Sequence, residues 1–257
     1  MSSHRYAVGL ALAGTLLAVG CLDDVGGPGP GIRGYFSITP SFQSSAASIV
    51  PLGSARLVIR RASDQVVVTD VTLPINPADS TIDFSVEVVM LSSGENFILT
   101  VQLFTPSNQL VWTSGPVTVT PSTDPNAAPV VSVDFSYAGT GSNAASVVIL
   151  HADTGGVVGD SLDLAAEARD SAGQAIPGTP IGWLSLDPSV ATTVDDSSGK
   201  VKAVGPGTAR IVAELLTGQR DTLRWSIQGA PARIVVLAGD AQTAVAGTAL
   251  PDTVVVQ

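Results

Sequence analysis

The stretch from Ile181 to Ala213 constrains the fold of this chain more than any other. Short apolar runs alternate there with turn-forming clusters, and the apolar residues never recur at helical spacing. Gly205-Pro206-Gly207 suits a type II turn, because proline presets φ and glycine accepts a positive φ. Small and apolar residues flank this turn at every second position: Val201, Ala203, Ala209, Ile211 and Ala213, with Thr208, Arg210 and Val212 on the opposite face. The pattern predicts a β-hairpin with one buried side.

The same stretch resembles the bacterial immunoglobulin-like domain, group 2. The residues that carry the resemblance are Trp183, the run Asp187-Pro-Ser-Val-Ala191, Gly199-Lys-Val201, the run Ala203-Val-Gly-Pro-Gly-Thr208, and Ile211. It covers about residues 145–229 and implies an immunoglobulin-like sandwich with Trp183 buried on a central strand. It also implies a spacer or adhesive module of a bacterial surface protein, without a catalytic motif. Thr192-Thr193 adds one residue to the family pattern, which predicts a small bulge.

Composition favours β structure and argues against a nucleic-acid partner. Charged residues make up only 13% of the chain, about half the usual share, while glycine (26) and proline (17) are plentiful. Few charges and many turn formers suit β-sandwiches better than helical bundles. The net charge of −10 opposes binding to nucleic acid, because neutralising phosphates requires clustered lysine and arginine.

Residues 1–21 have the pattern of a targeting segment. An apolar run from Ala7 to Val19 follows the polar His4-Arg5 and is too short to span a bilayer comfortably. Its end, Leu17-Ala-Val-Gly-Cys21, resembles the lipobox of bacterial lipoproteins, in which the cysteine becomes the first mature residue and carries acyl chains. The resemblance implies that Cys21 is lipidated and anchors the protein in the cell envelope, at the outer membrane or cell surface. An ordinary cleaved secretion signal is the alternative.

The residues that usually carry catalysis or bind cofactors are scarce. Cys21 is the only cysteine, so the folded part has no disulfide and no zinc-ligand spacing, and His4 and His151 are the only histidines. No glycine-rich loop precedes a helix to cradle phosphate. We therefore predict no enzyme activity and no cofactor. The acidic residues Asp153, Asp160, Asp187, Asp195 and Asp196 cap turns or, alternatively, bind calcium at a domain junction, although their spacing is not that of a dedicated calcium loop.

Residues 33–137 contain several alternating apolar segments. The predicted strands are 35–38, 56–60, 66–68, 82–88, 97–104, 110–112, 117–119 and 130–135, separated by turns such as 92–96 and 106–108. This number of strands fits an immunoglobulin-like or fibronectin-like sandwich. Trp112 is expected to pack in the core rather than form a ligand platform.

The pattern of the second domain starts again near the end of the chain. Ala145-Ser-Val-Val-Ile-Leu150 recurs 87 residues later as Ala232-Arg-Ile-Val-Val-Leu237, which indicates a tandem array. The stretch from Ala232 also resembles the opening of an invasin-type, group 1 immunoglobulin-like domain, and we expect the sequence to be a piece of a longer reading frame. The predicted organisation is a signal (1–21), a Gly/Pro-rich tether (22–32), a first β domain (33–137), a linker (138–144), a group 2 domain (145–229) and an incomplete third domain (230–257).

These observations predict an all-β protein of tandem immunoglobulin-like β-sandwiches. Its expected function is that of a non-enzymatic, lipid-anchored stalk or adhesion module, with the membrane as partner and other surface proteins or glycans as contacts. One alternative is a carbohydrate- or protein-binding module with its site in residues 33–137. Another is the stalk of a surface enzyme whose catalytic part lies downstream. An exposed aromatic strip would favour glycan binding, and buried aromatics would favour the stalk.

Overall fold

The chain is an all-β protein of tandem immunoglobulin-like β-sandwiches, as predicted. The structure is a computed structural model that describes residues 31–76, 84–229, 235–239, 241–245, 248–249 and 253–256. Within these ranges the regular elements are β-strands and two short 3₁₀ helices, Ser45–Ile49 and Pro125–Ala127. The signal, Cys21 and most of the tether lie outside the described residues. No helix in the described part is long and apolar enough to cross a membrane.

Eight strands form the first module, which we define as β1 to β8. They are β1 (Ile32–Phe42), β2 (Ser54–Arg61), β3 (Val67–Pro74), β4 (Phe84–Met90), β5 (Phe97–Phe104), β6 (Leu110–Ser114), β7 (Val117–Val119) and β8 (Val130–Tyr137). The sheet order is β3-β2-β5-β6-β8-β1-β4, with β7 also paired to β5. All pairs are antiparallel except β1 with β8. Each predicted strand of this region corresponds to one of these elements, and β3 extends well beyond its predicted end.

Alternation along β4 and β5 places the apolar residues of the first module in one core. Phe97, Leu99, Val101 and Leu103 are fully buried, while the residues between them are half-exposed. Trp112 is also fully buried, and it contacts Phe42 edge-on with ring centroids 4.9 Å apart. The prediction that Trp112 belongs to the core is confirmed.

Nine strands form the second module, defined as β9 to β17. They are β9 (Ser146–Ile149), β10 (Thr154–Val157), β11 (Ser161–Asp163), β12 (Ala166–Arg169), β13 (Ile181–Ser185), β14 (Ala191–Thr193), β15 (Lys200–Ala203), β16 (Gly207–Leu215) and β17 (Arg220–Gln228). One layer is the sheet β10-β17-β16-β13, and the other is built from the pairs β9-β12 and β11-β15-β14. Strands β11 and β12 are two halves of one interrupted strand. With these halves counted as one strand, the two layers have the strand order of an immunoglobulin domain, in which strands A, B, E and D form one sheet and strands G, F and C form the other.

Tryptophan and small aliphatic residues fill the core of the second module. Trp183 on β13 is 5% exposed and Trp225 on β17 is fully buried. The buried location predicted for Trp183 is confirmed. Its strand is the outermost member of its sheet rather than a central one, because no further strand pairs with the free edge of β13 within the described ranges.

The predicted hairpin around Gly205-Pro206-Gly207 is wrong. Strand β15 pairs with β11 and β14, whereas β16 pairs with β13 and β17, so the two strands lie in opposite sheets. Each has both edges occupied and cannot pair with the other. The connection is an arch across the sandwich, in which the backbone N–H groups of Val204 and Gly205 both donate to the carbonyl of Val190.

The residues predicted to be buried around this arch are buried, although the two strands do not form the predicted hairpin. Val201 and Ala203 face Ala209, Ile211 and Ala213 across the core instead of beside them in one sheet. Val212, expected on the outer face, is only 3% exposed. Alternation therefore predicted which side is buried but not which strands pair.

Three smaller features also differ from expectation. No bulge occurs at Thr192-Thr193, because β14 pairs with β15 in continuous register. The alternation of Leu162, Leu164, Ala166 and Ala168 with polar residues is typical of one strand, but the strand is interrupted at residues 164–165. Strand β10, which contains Gly155-Gly156 and pairs in parallel with β17, was not predicted.

The predicted linker contacts both modules, and the C-terminal stretch contains one strand pair within the described residues. In the predicted linker, Ala144 is buried in the second core and Tyr137 Oη donates to the carbonyl of Thr140 at 3.1 Å. In the predicted third domain, β18 (Val236–Ala238) pairs antiparallel with β19 (Val255–Val256).

Candidate functional site at the module junction

A short helix of the first module contacts the outermost strand of the second. We call Ser45–Ile49, which lies between β1 and β2, the junction helix. Ser44 precedes it in extended conformation, and its hydroxyl accepts the N–H of Ala46 at 3.0 Å, as an N-cap residue does. This cap orients the first turn of the helix toward β13 and β16.

Glu214 on β16 is the charged group at the centre of the junction. It is 2% exposed. From the first module its carboxylate accepts the hydroxyl of Ser44 at 3.0 Å and both the N–H and hydroxyl of Ser45, at 3.3 and 2.5 Å. From its own module it accepts a guanidinium hydrogen of Arg220 at 2.9 Å. A buried carboxylate is tolerated when its charge is paired and its lone pairs are occupied, and both conditions hold here.

The turn after β16 places a leucine in the core of the other module. Leu215 belongs to the second core, while Leu216, next in the chain, belongs to the first, and each is 1% exposed. The turn is closed by hydrogen bonds between Leu215 and Gln219 and between Gly218 and Leu215. Burying a leucine side chain contributes roughly 2 kcal/mol, so the turn adds apolar packing to the junction.

Close backbone approach brings the two modules into direct contact at Gly182. A Cβ at this position would collide with the Cβ of Ala46 in the junction helix. Only glycine lets β13 and the helix approach so closely. The junction therefore combines a close fit, an apolar insertion and a buried charge network.

Beside the junction helix lies a cavity of about 360 Å³. Ile49 lines it from the first module, and Trp183, Leu164 and Pro180 are among the residues that line it from the second. The polar side chains at its rim already have partners. Thr179 donates to the carbonyl of Ile176 at 2.8 Å, and the hydroxyl of Ser198 accepts the N–H of Lys200 at 3.2 Å.

The acidic residues singled out in the sequence cap turns and stabilise loops. Asp153 accepts the N–H of Arg224, and Asp160 accepts the N–H of Val157, each at 2.9 Å. Asp187 accepts two guanidinium hydrogens and the N–H of Arg210, and these bonds lower the pKa of its carboxyl. Asp160 thus caps a turn as expected, whereas Asp153 and Asp187 bond to strand residues 71 and 23 positions away and do not cap turns.

Asp195 is the most perturbed of these carboxyls. It accepts the N–H of Ser198 at 2.7 Å and both the N–H and hydroxyl of Ser197 at 2.9 Å. These hydrogen bonds, those from Ser198 first, lower its pKa to about 2. In the described part of the chain, no group of three or more histidine, cysteine or acidic side chains could hold a metal ion. His151 is exposed in a bend after β9 and is not part of the junction.

The aromatic side chains of the described residues are all in the interior or only half-buried. Trp112, Trp183 and Trp225 are buried, and Tyr35, Phe42 and Phe104 are half-buried. The described surface thus offers no exposed aromatic strip on which a sugar ring could stack.

Sequence reasoning did not find Glu214, Leu216 or the junction helix. The only local signal was a carboxylate inside the apolar run Val212-Ala-Glu-Leu-Leu216, since a lone charge in such a run requires a partner. Its charged partner, Arg220, lies six positions away, but its partner across the junction, Ser44, lies 170 positions away in the chain.

No family model matches the sequence, and no curated protein matches it. Among solved structures, the chain is similar to the C-terminal 282-residue fragment of intimin, solved in complex with the intimin-binding domain of its translocated receptor. The identity is 14% over 77% of this chain and 64% of that one, with a TM-score of 0.25. The chain thus spans less than two thirds of that fragment.

Two further solved structures have comparable similarity. Domains 4 and 5 of the S-layer protein SbsC are 13% identical over 55% of this chain and 68% of theirs, with a TM-score of 0.27. The EC1–4 region of PcdhgB3 is 14% identical over 83% of this chain and 48% of its own, also with a TM-score of 0.27. At these TM-scores the function has to be argued from the residues of this chain.

Proposed function

We propose that this protein is a non-enzymatic spacer of the bacterial cell surface, anchored by a lipid on Cys21. Its two modules hold a more distal part of the protein, or a contact surface, at a fixed distance and orientation from the membrane. The observation that carries the proposal is the division of Leu215 and Leu216 between two cores, because it couples the modules through packing rather than through a free linker.

The buried charge network supports the same conclusion. Flexible tandem modules are joined by exposed, polar linkers that few contacts cross. Here the Glu214 carboxylate would lose three hydrogen bonds from Ser44 and Ser45 if the modules separated. A hydrogen bond to a charged group contributes roughly 1.5–3 kcal/mol net of the water that would replace it, so the network opposes hinge motion.

The distribution of aromatic residues favours a spacer over a glycan-binding module. A glycan site in residues 33–137 would use exposed aromatic rings, whereas Trp112 and Phe135 in that region are fully buried. A spacer needs its apolar side chains in the core, and it needs no surface cleft lined by ligand-binding side chains. The cavity beside the junction helix lies at the low end of the volumes of ligand pockets, and the hydroxyls of Thr179 and Ser198 at its rim already have partners within the protein.

We infer the domain organisation from the same observations. The first domain spans 33–137, a short linker covers 138–144, the second domain spans 145–229, and a third begins at about 230. The immunoglobulin strand order of β9 to β17 supports assigning residues 145–229 to the group 2 bacterial immunoglobulin-like family.

Lipidation is tested directly on the mature native protein. Mass spectrometry of the N-terminal peptide from membranes is expected to identify acylated Cys21 as the first residue. A Cys21→Ser variant is the matched control, and it is expected to leave the membrane fraction. An unmodified or absent Cys21 in the mature protein would remove the anchor from the proposal and leave a secreted spacer.

A further inference from the structure

Strand β3 (Val67–Pro74) is an end strand of the sheet of the first module, and β4, the strand at the other end, lies near it without pairing with it. Within the residues that the structure describes, β3 pairs with β2 alone. An uncovered strand edge carries a row of unused backbone donors and acceptors, and natural proteins usually protect it. The outer edge of β13, for comparison, is partly closed by the carbonyl of Asp196, which accepts the N–H of Trp183 at 2.8 Å.

Hydrogen bonds within the sheet identify the outward backbone groups of β3. Ile75 N donates to Gly53 O at 2.9 Å. Every second residue before Ile75 therefore also directs its backbone N–H and C=O groups toward β2. On the far side of β2 and β5, Val101 N points toward β6, where it donates to Ser114 Oγ at 2.8 Å. The direction in which backbone groups bond alternates along each strand. Followed through the registers of β5 with β2 and of β2 with β3, the bond of Val101 gives the same alternation on β3 as the bond of Ile75. Asp70 and Thr72 therefore direct their N–H and C=O groups away from the sheet.

The features that normally block an edge are weak on β3. It has no lysine, and its one charge, Asp70, is neutralised by Arg56 through two hydrogen bonds of 2.8 and 2.7 Å. Its proline is the last residue of the strand. On the inward face, Val71 and Leu73 are only half-buried against the first core. An added strand would cover these side chains and use the free backbone groups.

We propose that β3 pairs antiparallel with β3 of a second copy of this chain, with a two-fold axis at Val71. Antiparallel self-pairing satisfies the requirement of a symmetric dimer that the same patch serve both copies. Asp70 of each copy then faces Thr72 of the other, and the two pairs make four backbone hydrogen bonds. Val71 meets its own equivalent on the inward face.

Neighbouring registers are less favourable. An axis at Asp70 places two carboxylates directly opposite, which destabilises a cross-strand pair. An axis at Thr72 places Asp70 opposite Pro74, which has no N–H to donate. With the axis at Val71, each Asp70 is neutralised by Arg56 of its own copy, so the two strand edges meet without net charge repulsion. This dimer goes beyond the proposed spacer function, and it does not depend on the lipid anchor.

A cysteine scan tests both the dimer and its register. In the full chain carrying Cys21→Ser, single cysteines are placed at Thr69, Val71 and Leu73, and the protein is oxidised. Residues at the axis of an antiparallel pair have Cα atoms about 4.5 Å apart, within the range of a disulfide. Two positions away the equivalent residues are about 13 Å apart. The dimer is therefore expected to cross-link strongly at position 71 and weakly at 69 and 73.

Sedimentation of Thr72→Pro gives an independent test. This change removes an outward N–H that the monomer does not use, so the fold is retained and dimerisation weakens at least about tenfold. Thr72→Val keeps the N–H and is expected to dimerise as the unchanged chain does. A chain that is monomeric at about 1 mM, an equal yield of cross-link at all three positions, or an unchanged dimer in folded Thr72→Pro would overturn the proposal. If Thr72→Pro does not fold, the cysteine scan decides.

Discussion

Leu215 and Leu216 are adjacent in the chain but are buried in two different cores. Leu215 packs with Trp183 and Ile211 in the second module, and Leu216 joins the buried residues of the first. Two consecutive side chains of a strand point to opposite faces, so the end of β16 contributes to both modules at once. The packing of the first core consequently depends on the second module being in place.

Truncating Leu216 is expected to destabilise the first module even though the residue follows β16. Leu216→Ala should lower the free energy of unfolding by about 2–4 kcal/mol, since it removes a buried side chain and leaves a cavity. Denaturant unfolding followed by tryptophan fluorescence measures the change. Leu91→Ala is the matched control: Leu91 is 62% exposed, and its truncation should cost less than about 0.5 kcal/mol. Equal losses in the two variants would show that Leu216 does not pack in the first core.

Removing the charge of Glu214 is expected to loosen the junction. Glu214→Gln keeps the shape of the side chain but replaces its charge-assisted hydrogen bonds with Ser44, Ser45 and Arg220 by weaker neutral ones. The change should lower the free energy of unfolding by about 2–3 kcal/mol. Thermal unfolding measures the loss. Glu87→Gln is the control, because Glu87 pairs with Arg33, whose side chain is 63% exposed, and such surface pairs contribute about 0–1 kcal/mol. If Glu214→Gln were as mild as Glu87→Gln, the buried network would not stabilise the junction.

A methyl group at Gly182 is expected to displace the junction helix. Gly182→Ala places a Cβ against Ala46 and should cost about 1–3 kcal/mol through overpacking. Gly115→Ala is the control, since no atom lies within 4 Å of its added Cβ and it should be neutral or slightly stabilising. Ala46→Gly in the Gly182→Ala chain should restore part of the loss. Failure of this second change to restore stability would mean that the two positions do not touch.

The depressed pKa of Asp195 predicts a pH-dependent contribution to stability. Its folded-state pKa of about 2 lies below the ordinary value of 3.8, so the ionised carboxylate favours the folded state. The stabilisation is complete above about pH 4 and disappears as the pH falls through about 2. The unfolding free energies of Asp195→Asn and the unchanged chain should therefore differ at pH 7 and converge near pH 2. A difference that stays constant over this range would exclude the carboxylate as its cause.

The sequence predicted the parts of the fold that depend on neighbouring residues in the chain. Period-two alternation placed Phe97, Leu99 and Val101 in the core because a strand exposes one face whatever its partners are. The same alternation could not distinguish a hairpin from an arch at Gly205-Pro206-Gly207. That choice depends on the four strands that occupy the edges of β15 and β16, and two of these, β11 and β13, are distant in sequence. Strand β10 was not predicted, because Gly155-Gly156 has no side chains that could alternate between apolar and polar.

The candidate site was out of reach of sequence reasoning for a similar reason. Glu214 and Leu216 acquire their roles only from residues of the other module, and no local pattern marks a junction. The junction helix has the sequence Ser-Ala-Ala-Ser-Ile, which is too short and too small to show a helical period. Expected turn caps such as Asp195 were identifiable because their partners lie within three residues.

The distance between the two modules tests the central claim most directly. Spin labels on Leu91→Cys in the first module and Val194→Cys in the second, both at well-exposed positions, report that distance in the full chain carrying Cys21→Ser. A spacer with a packed junction predicts one narrow distance distribution, which broadens when Glu214→Gln is added. A distribution that is already broad in the unchanged junction, and that Glu214→Gln does not alter, would contradict the coupling of the two modules.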